Sequence, residues 1–355
     1  MKKSLFTLSA IALATSTASA YTLVDNKETG TKLDFSGSAR IVWESKANKT
    51  KDLVENTTTK NHVNKAVRNN ASRFGFQLKQ DIAEGFYGLG RVEWRFRGTS
   101  SSQHDFDDIY TRQLYAGIGH KQYGEVVHGN MTVITDYVKQ TDLPNTLSLS
   151  DGLLVSSARK VTQYTYKGIE GLTAGVYYGD KSKRNMNGLD LKDRRKDVWG
   201  VAAIYDEKLD DLQSVTVAAG FSRERTDRKN TNAYLVGSAY TYDKTTIGLD
   251  LARSVAKGLQ GNKVTEYEVS TVLNQQLTDV WRAYGMYSYK QNKESKDNAK
   301  EKAHQYMVGT EYTFVPKHLK GFVEWQTSYA NHYTNGAKTK RTRDNVTAIG
   351  LRAYW

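Results

Sequence analysis

The chain has 355 residues, 38% of them apolar, with a net charge of +13 and no cysteine, so neither disulfides nor cysteine-bound metal can hold it together. No run after residue 20 approaches eighteen consecutive apolar residues, which excludes a bundle of membrane-spanning helices. Two prolines stand where average usage would place about eighteen, and 23 tyrosines accompany them, as in a chain that is nearly all strand.

The chain opens with a basic Met1-Lys2-Lys3, an apolar run from Leu5 to Ala14 and an Ala18-Ser19-Ala20 site, the three parts of a secretory signal peptide. Residues 1–20 are therefore read as cleaved on export, leaving one domain from Tyr21 to Trp355. The first predicted strand runs from Leu33 to Trp43. Leu33, Phe35, Gly37, Ala39, Ile41 and Trp43 share one face, and Asp34, Ser36, Ser38, Arg40 and Val42 the other, as a side-chain period of two requires. The alternation returns at Phe74–Leu78, Phe86–Phe96, Thr111–Ile118, Glu125–His128, Val161–Tyr166, Leu172–Tyr178, Val198–Tyr205 and Val215–Phe221. It continues at Tyr234–Tyr242, Thr246–Val255, Tyr267–Leu273, Trp281–Tyr289, Tyr306–Phe314, Phe322–Tyr329 and Val346–Trp355, which makes sixteen segments.

Short connections such as Asp81–Glu84, Gly168–Gly171 and Asp243–Thr245 alternate with long polar ones. The long ones are Ser45–Asn70, Asn130–Ala158, Asp180–Lys196, Asn292–Lys302 and Asn331–Asp344. Short turns on one side and long loops on the other predict an all-β, 16-stranded antiparallel transmembrane β-barrel with long extracellular loops. The even strand count places both termini on the periplasmic side. In the last segment Thr347, Ile349, Leu351, Ala353 and Trp355 share one face. A chain that stops on an aromatic with apolar residues at every second position before it resembles the C-terminal assembly signal of outer-membrane barrels, carried here by Trp355, Leu351 and Ile349.

In the third segment Val92, Trp94 and Phe96 alternate with Arg91, Glu93, Arg95 and Arg97. An arginine at the bilayer midplane costs roughly 2–4 kcal/mol, so parity aims the arginines into a wet lumen. Arg40, Arg73 and Arg159 fall on the same inward parity. The seven histidines show no metal-ligand spacing, and no nucleophile and base stand together, so neither cofactor nor catalysis is expected. Basic residues scattered through loops of an exported chain give no reason to expect a nucleic-acid partner.

Asn70-Ala71-Ser72-Arg73-Phe74-Gly75-Phe76, Arg112-Gln113-Leu114-Tyr115-Ala116-Gly117 and the closing Gly350-Leu351-Arg352-Ala353-Tyr354-Trp355 resemble the general diffusion porins of Gram-negative bacteria, above all the major outer-membrane porins of the Haemophilus and Pasteurella group. The resemblance covers the whole chain. It implies a homotrimer in the outer membrane and a third loop, about residues 130–158, folded into the lumen. It also implies passive diffusion of ions and small hydrophilic solutes. In that family basic residues of the first strands face carboxylates of the infolded loop, which maps here onto Arg40, Arg73, Arg91, Arg95 and Arg159 opposed by Asp136, Asp142 and Asp151. The loop departs from acid-rich versions, since these three are its only acids and Lys139 accompanies them. The segment Asp180–Lys196, with seven basic residues against three acidic ones, is a candidate contact for lipopolysaccharide phosphates among the surrounding outer-membrane lipid. A substrate-selective channel and a structural or adhesive barrel with a plugged interior are the alternatives. The first calls for an aromatic stripe down the lumen and the second for interior residues that all pair off.

Overall fold

A sheet whose strands are apolar on one face and polar on the other leaves no free edge once it closes on itself. The computed structural model describes residues 20–64, 67–97 and 108–355. Of the expected signal segment only Ala20 lies within the described residues. The barrel strands begin with β1 (Thr31–Asp52), β2 in three pieces (Thr58–Asn64, Arg68–Asn69 and Arg73–Ala83), β3 (Phe86–Phe96) and β4 (Ile109–His120). Then come β5 (Gly124–Thr132), β6 (Ser157–Tyr166), β7 (Leu172–Gly179 with Ser182–Arg184), β8 (Asp190–Lys208) and β9 (Gln213–Thr226). The remainder are β10 (Lys229–Tyr242), β11 (Thr245–Gly258), β12 (Lys263–Thr278), β13 (Trp281–Glu294), β14 (Ala299–Val315), β15 (Leu319–Thr334) and β16 (Ala337–Tyr354).

Each strand pairs antiparallel with its sequence neighbours, and β16 returns to β1, with Leu351 opposite Ile41 and Arg352 opposite Arg40. The structure is thus a closed sixteen-stranded barrel. Below the reach of β16, the edge of β1 is covered by an N-terminal strand, Tyr21–Asn26, paired to Thr31–Phe35.

The two faces sort as alternation demands. Val217, Val236, Leu249, Leu251, Val308 and Ile349 are exposed on the outer wall. Tyr205, Tyr240, Tyr312 and Phe314 lie outward near the short turns, and Tyr178, Trp199, Tyr234 and Tyr329 near the opposite end. An apolar band flanked by aromatic girdles is what a bilayer requires of a barrel.

Four of the five long connections are largely strand rather than loop. β1 reaches Asp52 and is met by Thr58–Asn64, while only residues 335–336 separate β15 from β16. Above the bilayer both faces of a strand are wet, so the alternation that marks it in the sequence vanishes while the hydrogen-bond ladder continues. Only the third connection, residues 133–156, is without strand, and it carries one short 3₁₀ turn, Ile134–Val138.

Candidate functional site: the lumen and its third loop

The third loop lies inside the barrel, against the wall. Its first half buries Val133, Ile134 and Val138 against Val161, Tyr177, Val198, Ile204 and Leu235 of β6–β10. Its second half buries Leu147 and Leu149 against Val272, Met286, Met307 and Phe322 of β12–β15. Apolar residues at lumen parity therefore mark the loop's footprint rather than a dry interior. At Gly237 and Gly248 a Cβ would stand 2.5 Å from the carbonyl oxygens of Val138 and Gln140, so the loop backbone can seat only on glycine there.

Polar anchors complete the seat, because a loop taken off the surface must find partners for its backbone. Asp250 accepts hydrogen bonds from the backbone N–H groups of Gln140 (2.9 Å) and Thr141 (2.9 Å) and from the Thr141 hydroxyl. Glu324 accepts from the N–H groups of Asn145, Thr146 (3.0 Å) and Leu147 (2.7 Å), and from the Tyr284 hydroxyl (2.7 Å). Glu268 accepts from the N–H of Asp151 at 3.0 Å. The Asn145 amide reaches Glu311, which also pairs with Arg282 (3.0 Å) and Lys320 (2.8 Å). Asp250 and Glu324 are almost wholly buried, at 1% and 0% exposure.

The strands outside this seat, β16 and β1–β4, carry the arginines. Glu93, 4% exposed, sits among Arg95 (2.6 Å), Arg91 (3.1 Å), Arg73 (3.9 Å) and the Gln113 amide (3.1 Å). Arg40 stands cross-strand from Arg352 and feels the charges of Arg95 and Glu93, while Arg112 feels Arg95 and Glu93. Arg40, Arg73, Arg91, Arg95 and Arg112 thus gather around Glu93, while Arg352, beside Arg40, donates to the carbonyl of the loop residue Asn145. A recess of about 200 Å³ opens beside them, lined by Asp34, Ser38, Arg40, Arg73, Arg91 and Glu93.

The structure brings four of the five expected arginines together, Arg40, Arg73, Arg91 and Arg95. It sets Arg159 apart. That side chain lies against the Asn185 carbonyl, with Arg184 as its charged neighbour. A register shift between Gly129 and Met131 in the β5–β6 pairing accompanies the displacement, since parity carries a side chain only to the next bulge. Among the loop acids, Asp136 lies near Arg112 and Arg95 as well as Lys139. Asp142 is paired with Lys139 at 3.0 Å, and Asp151 with Lys290 of β13. Glu93 as hub, Arg112 and Arg352 as further members, and the anchors Asp250, Glu268 and Glu324 were not singled out from the sequence. For Asp250 the signal is a lone acid at lumen parity among Thr246, Gly248, Ala252 and Ser254.

Trp355, Leu351 and Ile349 all face outward on the closing strand. Trp355 exchanges backbone hydrogen bonds with Gly37, at 2.8 and 3.2 Å. A Cβ on Gly37 would stand 2.4 Å from the Trp355 indole nitrogen.

A family model described as Gram-negative porin matches residues 7–317. The major outer membrane protein of Pasteurella multocida strain Pm70 is 27% identical, with all of both chains covered. A second major outer membrane protein of Pasteurella multocida is 26% identical over 80% of this chain and 82% of its own. Among solved structures, OmpT of Vibrio cholerae superposes with a TM-score of 0.69 at 17% identity, over 94% of this chain and 99% of that one. An anion-selective porin from Comamonas acidovorans superposes with a TM-score of 0.63 at 14% identity, over 92% of this chain and 100% of the other. The chain belongs to the Gram-negative porin family and forms a diffusion channel of the outer membrane.

Proposed function

We propose that the channel is non-specific, admits ions and small hydrophilic solutes by size, and favours anions at a constriction between the third loop and the arginine wall. The observation that carries this reading is the imbalance of charge across the lumen. Asp142 and Asp151 of the loop are tied to lysines, and Asp250, Glu268 and Glu324 are occupied by loop backbone, whereas five arginines gather around Glu93. A solute in the gap meets unspent positive charge on one side and little negative charge on the other, and a charge-lined pore selects by that field. Asp136 is the loop acid whose charge faces the arginines. The anion-selective title of the Comamonas relative agrees with this sense of selectivity.

Passive flow needs no chemical step, so the reading includes no catalytic residue and no cofactor. Cleavage after Ala20 and trimerisation belong to it. A solved form of Vibrio cholerae OmpT is trimeric. Here one side of the wall is short, with strand pieces of 8–12 residues at Arg73–Ala83, Phe86–Phe96, Ile109–His120 and Leu172–Gly179, against 14–18 from β9 to β16. The start of that side carries outward rings in contact, Phe35 with Phe76 and Phe74 with Trp94, an apolar surface suited to a second copy.

The test is the reversal potential of single channels in a planar bilayer across a salt gradient. The unaltered protein should pass anions over cations in large ohmic steps. Arg91→Ala with Arg95→Ala should shift the ratio several-fold toward cations. An unchanged ratio would remove the arginine wall from the constriction, saturable currents would mean a selective channel, and no steps at all a plug.

A further inference from the structure

We propose that the channel carries a second anion station at its extracellular mouth, where Arg97, Arg159 and Arg184 meet on the Asn185–Gly188 turn and take up a soluble, doubly charged oxyanion of the phosphate class. The station is separate from the constriction, and it rests on the anion reading above. It concerns the side of the turn that meets Arg97, a residue of lumen parity.

The turn joins the last piece of β7 to β8. The Asn185 side chain builds it, accepting from the backbone N–H groups of Asn187 (2.9 Å) and Leu189 (3.0 Å). The Asn185 carbonyl then accepts from the Gly188 N–H at 3.1 Å and from Arg159 Nη1 at 3.4 Å. Gly188 has a φ of +77°, and a Cβ there would stand 3.8 Å from Arg97 Nη2, within van der Waals contact. One turn thus brings together a guanidinium from the end of β3, one from β6 and, at its own first step, Arg184. Arg97 continues the inward series of Arg91, Glu93 and Arg95. Its backbone stands roughly 7 Å beyond that of Arg95 along the strand.

The counter-charge at this turn is thin. Arg97 pairs with Asp108 at 3.5 Å and Arg184 with Asp190 at 3.7 Å, and both carboxylates are well exposed, at 59% and 88%. Exposed pairs of that length contribute little and yield readily to a competing ion. Among the described residues Arg159 pairs with no carboxylate, and its charged neighbour is Arg184, a like charge. The turn closes on its own amide and backbone bonds, so it does not need three cations to hold its shape. Repelling guanidinium groups brought to one place are stabilised by an anion that all of them can reach. An oxyanion of the phosphate class carries several acceptor oxygens and suits the two-pronged donation of arginine. Chloride, a single centre with one charge, cannot use those forks in the same way. Phosphate should therefore dwell at the mouth where chloride passes.

The test uses single channels of the full-length protein in a planar bilayer, in potassium chloride at mildly alkaline pH. Inorganic phosphate is added to one chamber and, in a separate run, to the other. Chloride current should fall saturably, and at lower phosphate from one side than from the other. Arg97→Gln/Arg159→Gln should raise the half-effective phosphate concentration several-fold on the sensitive side and remove the difference between sides. The reversal potential of this variant in a potassium chloride gradient, which reports the constriction, should still favour anions. Should the double variant fail to fold, Arg159→Gln alone should show a smaller loss that Arg159→Lys largely restores. Equal phosphate sensitivity from both chambers in the unaltered protein, or an unchanged half-effective concentration in the folded variants, would overturn the station and leave the constriction standing. A cation-favouring reversal potential in the unaltered protein would instead remove the anion reading on which the station rests.

Discussion

Glu93 shows how much one residue can hold in place. It is the carboxylate that pairs with Arg73, Arg91 and Arg95, and Gln113 donates to it as well. Replacing it with glutamine leaves three guanidinium groups without their counter-charge, which should lower stability by about 1–3 kcal/mol. Its removal also takes a negative charge out of the lumen. Glu93→Gln should therefore move the reversal potential further toward anions while lowering the temperature at which the folded, fast-migrating form disappears. A shift toward cations would contradict the placement of Glu93 in the conducting path. Gly37 is the other telling position. Its hydrogens are all that separates β1 from the Trp355 indole. Gly37→Val should displace the terminal residue from its seat and reduce the yield of folded barrel in refolding assays, whereas Ala39→Val, one outward position further, should leave it near normal. Parity alone identified Glu93 as inward. That it would be buried among arginines needed the partner strands.

At the scale of elements, the third loop is a latch with three catches. Asp250 and Glu324 each take several backbone N–H groups, and hydrogen bonds to a charged acceptor contribute about 1.5–3 kcal/mol each. Asp250→Asn with Glu324→Gln should free the loop from the wall, raising open-channel noise and broadening the conductance distribution, with single-channel recording as the check. A recording indistinguishable from that of the unaltered protein would show that apolar packing of Val133, Ile134, Val138, Leu147 and Leu149 suffices alone. The loop's range was legible as one of five long polar connections, between the alternating segments Glu125–His128 and Val161–Tyr166. Its destination was read only from family resemblance, because the residues that receive it are dispersed over β6 to β15 and gather only when the sheet closes. The other long connections misled for the opposite reason: polar residues on both faces hid strands that continue above the bilayer.

For the whole molecule, closure makes the outer wall intolerant and the lumen tolerant of charge. Leu249 is exposed at mid-wall on the outer face of β11. Leu249→Arg should cost roughly 2–4 kcal/mol and lower the fraction that folds into vesicles. Gln326→Arg, half-buried on the lumen face of β15, should spare insertion and instead alter conductance. Comparable folding losses for the two would mean that inside and outside have been exchanged.

What the chain alone determined was everything set by a period of two: the sixteen spans, their inward and outward faces and the lumen direction of Arg40, Arg73, Arg91 and Arg95. Those features are local, since a side chain's face follows from its neighbours in the same strand. Only the tertiary structure decided which inward residues meet. The departure of Arg159 at a bulge, the arrival of Arg112 near Glu93 and of Arg352 beside Arg40, and the capture of the third loop by Asp250, Glu268 and Glu324 depend on register and height between strands far apart in sequence. Alternation carries direction, but it contains no measure of distance across a closed sheet.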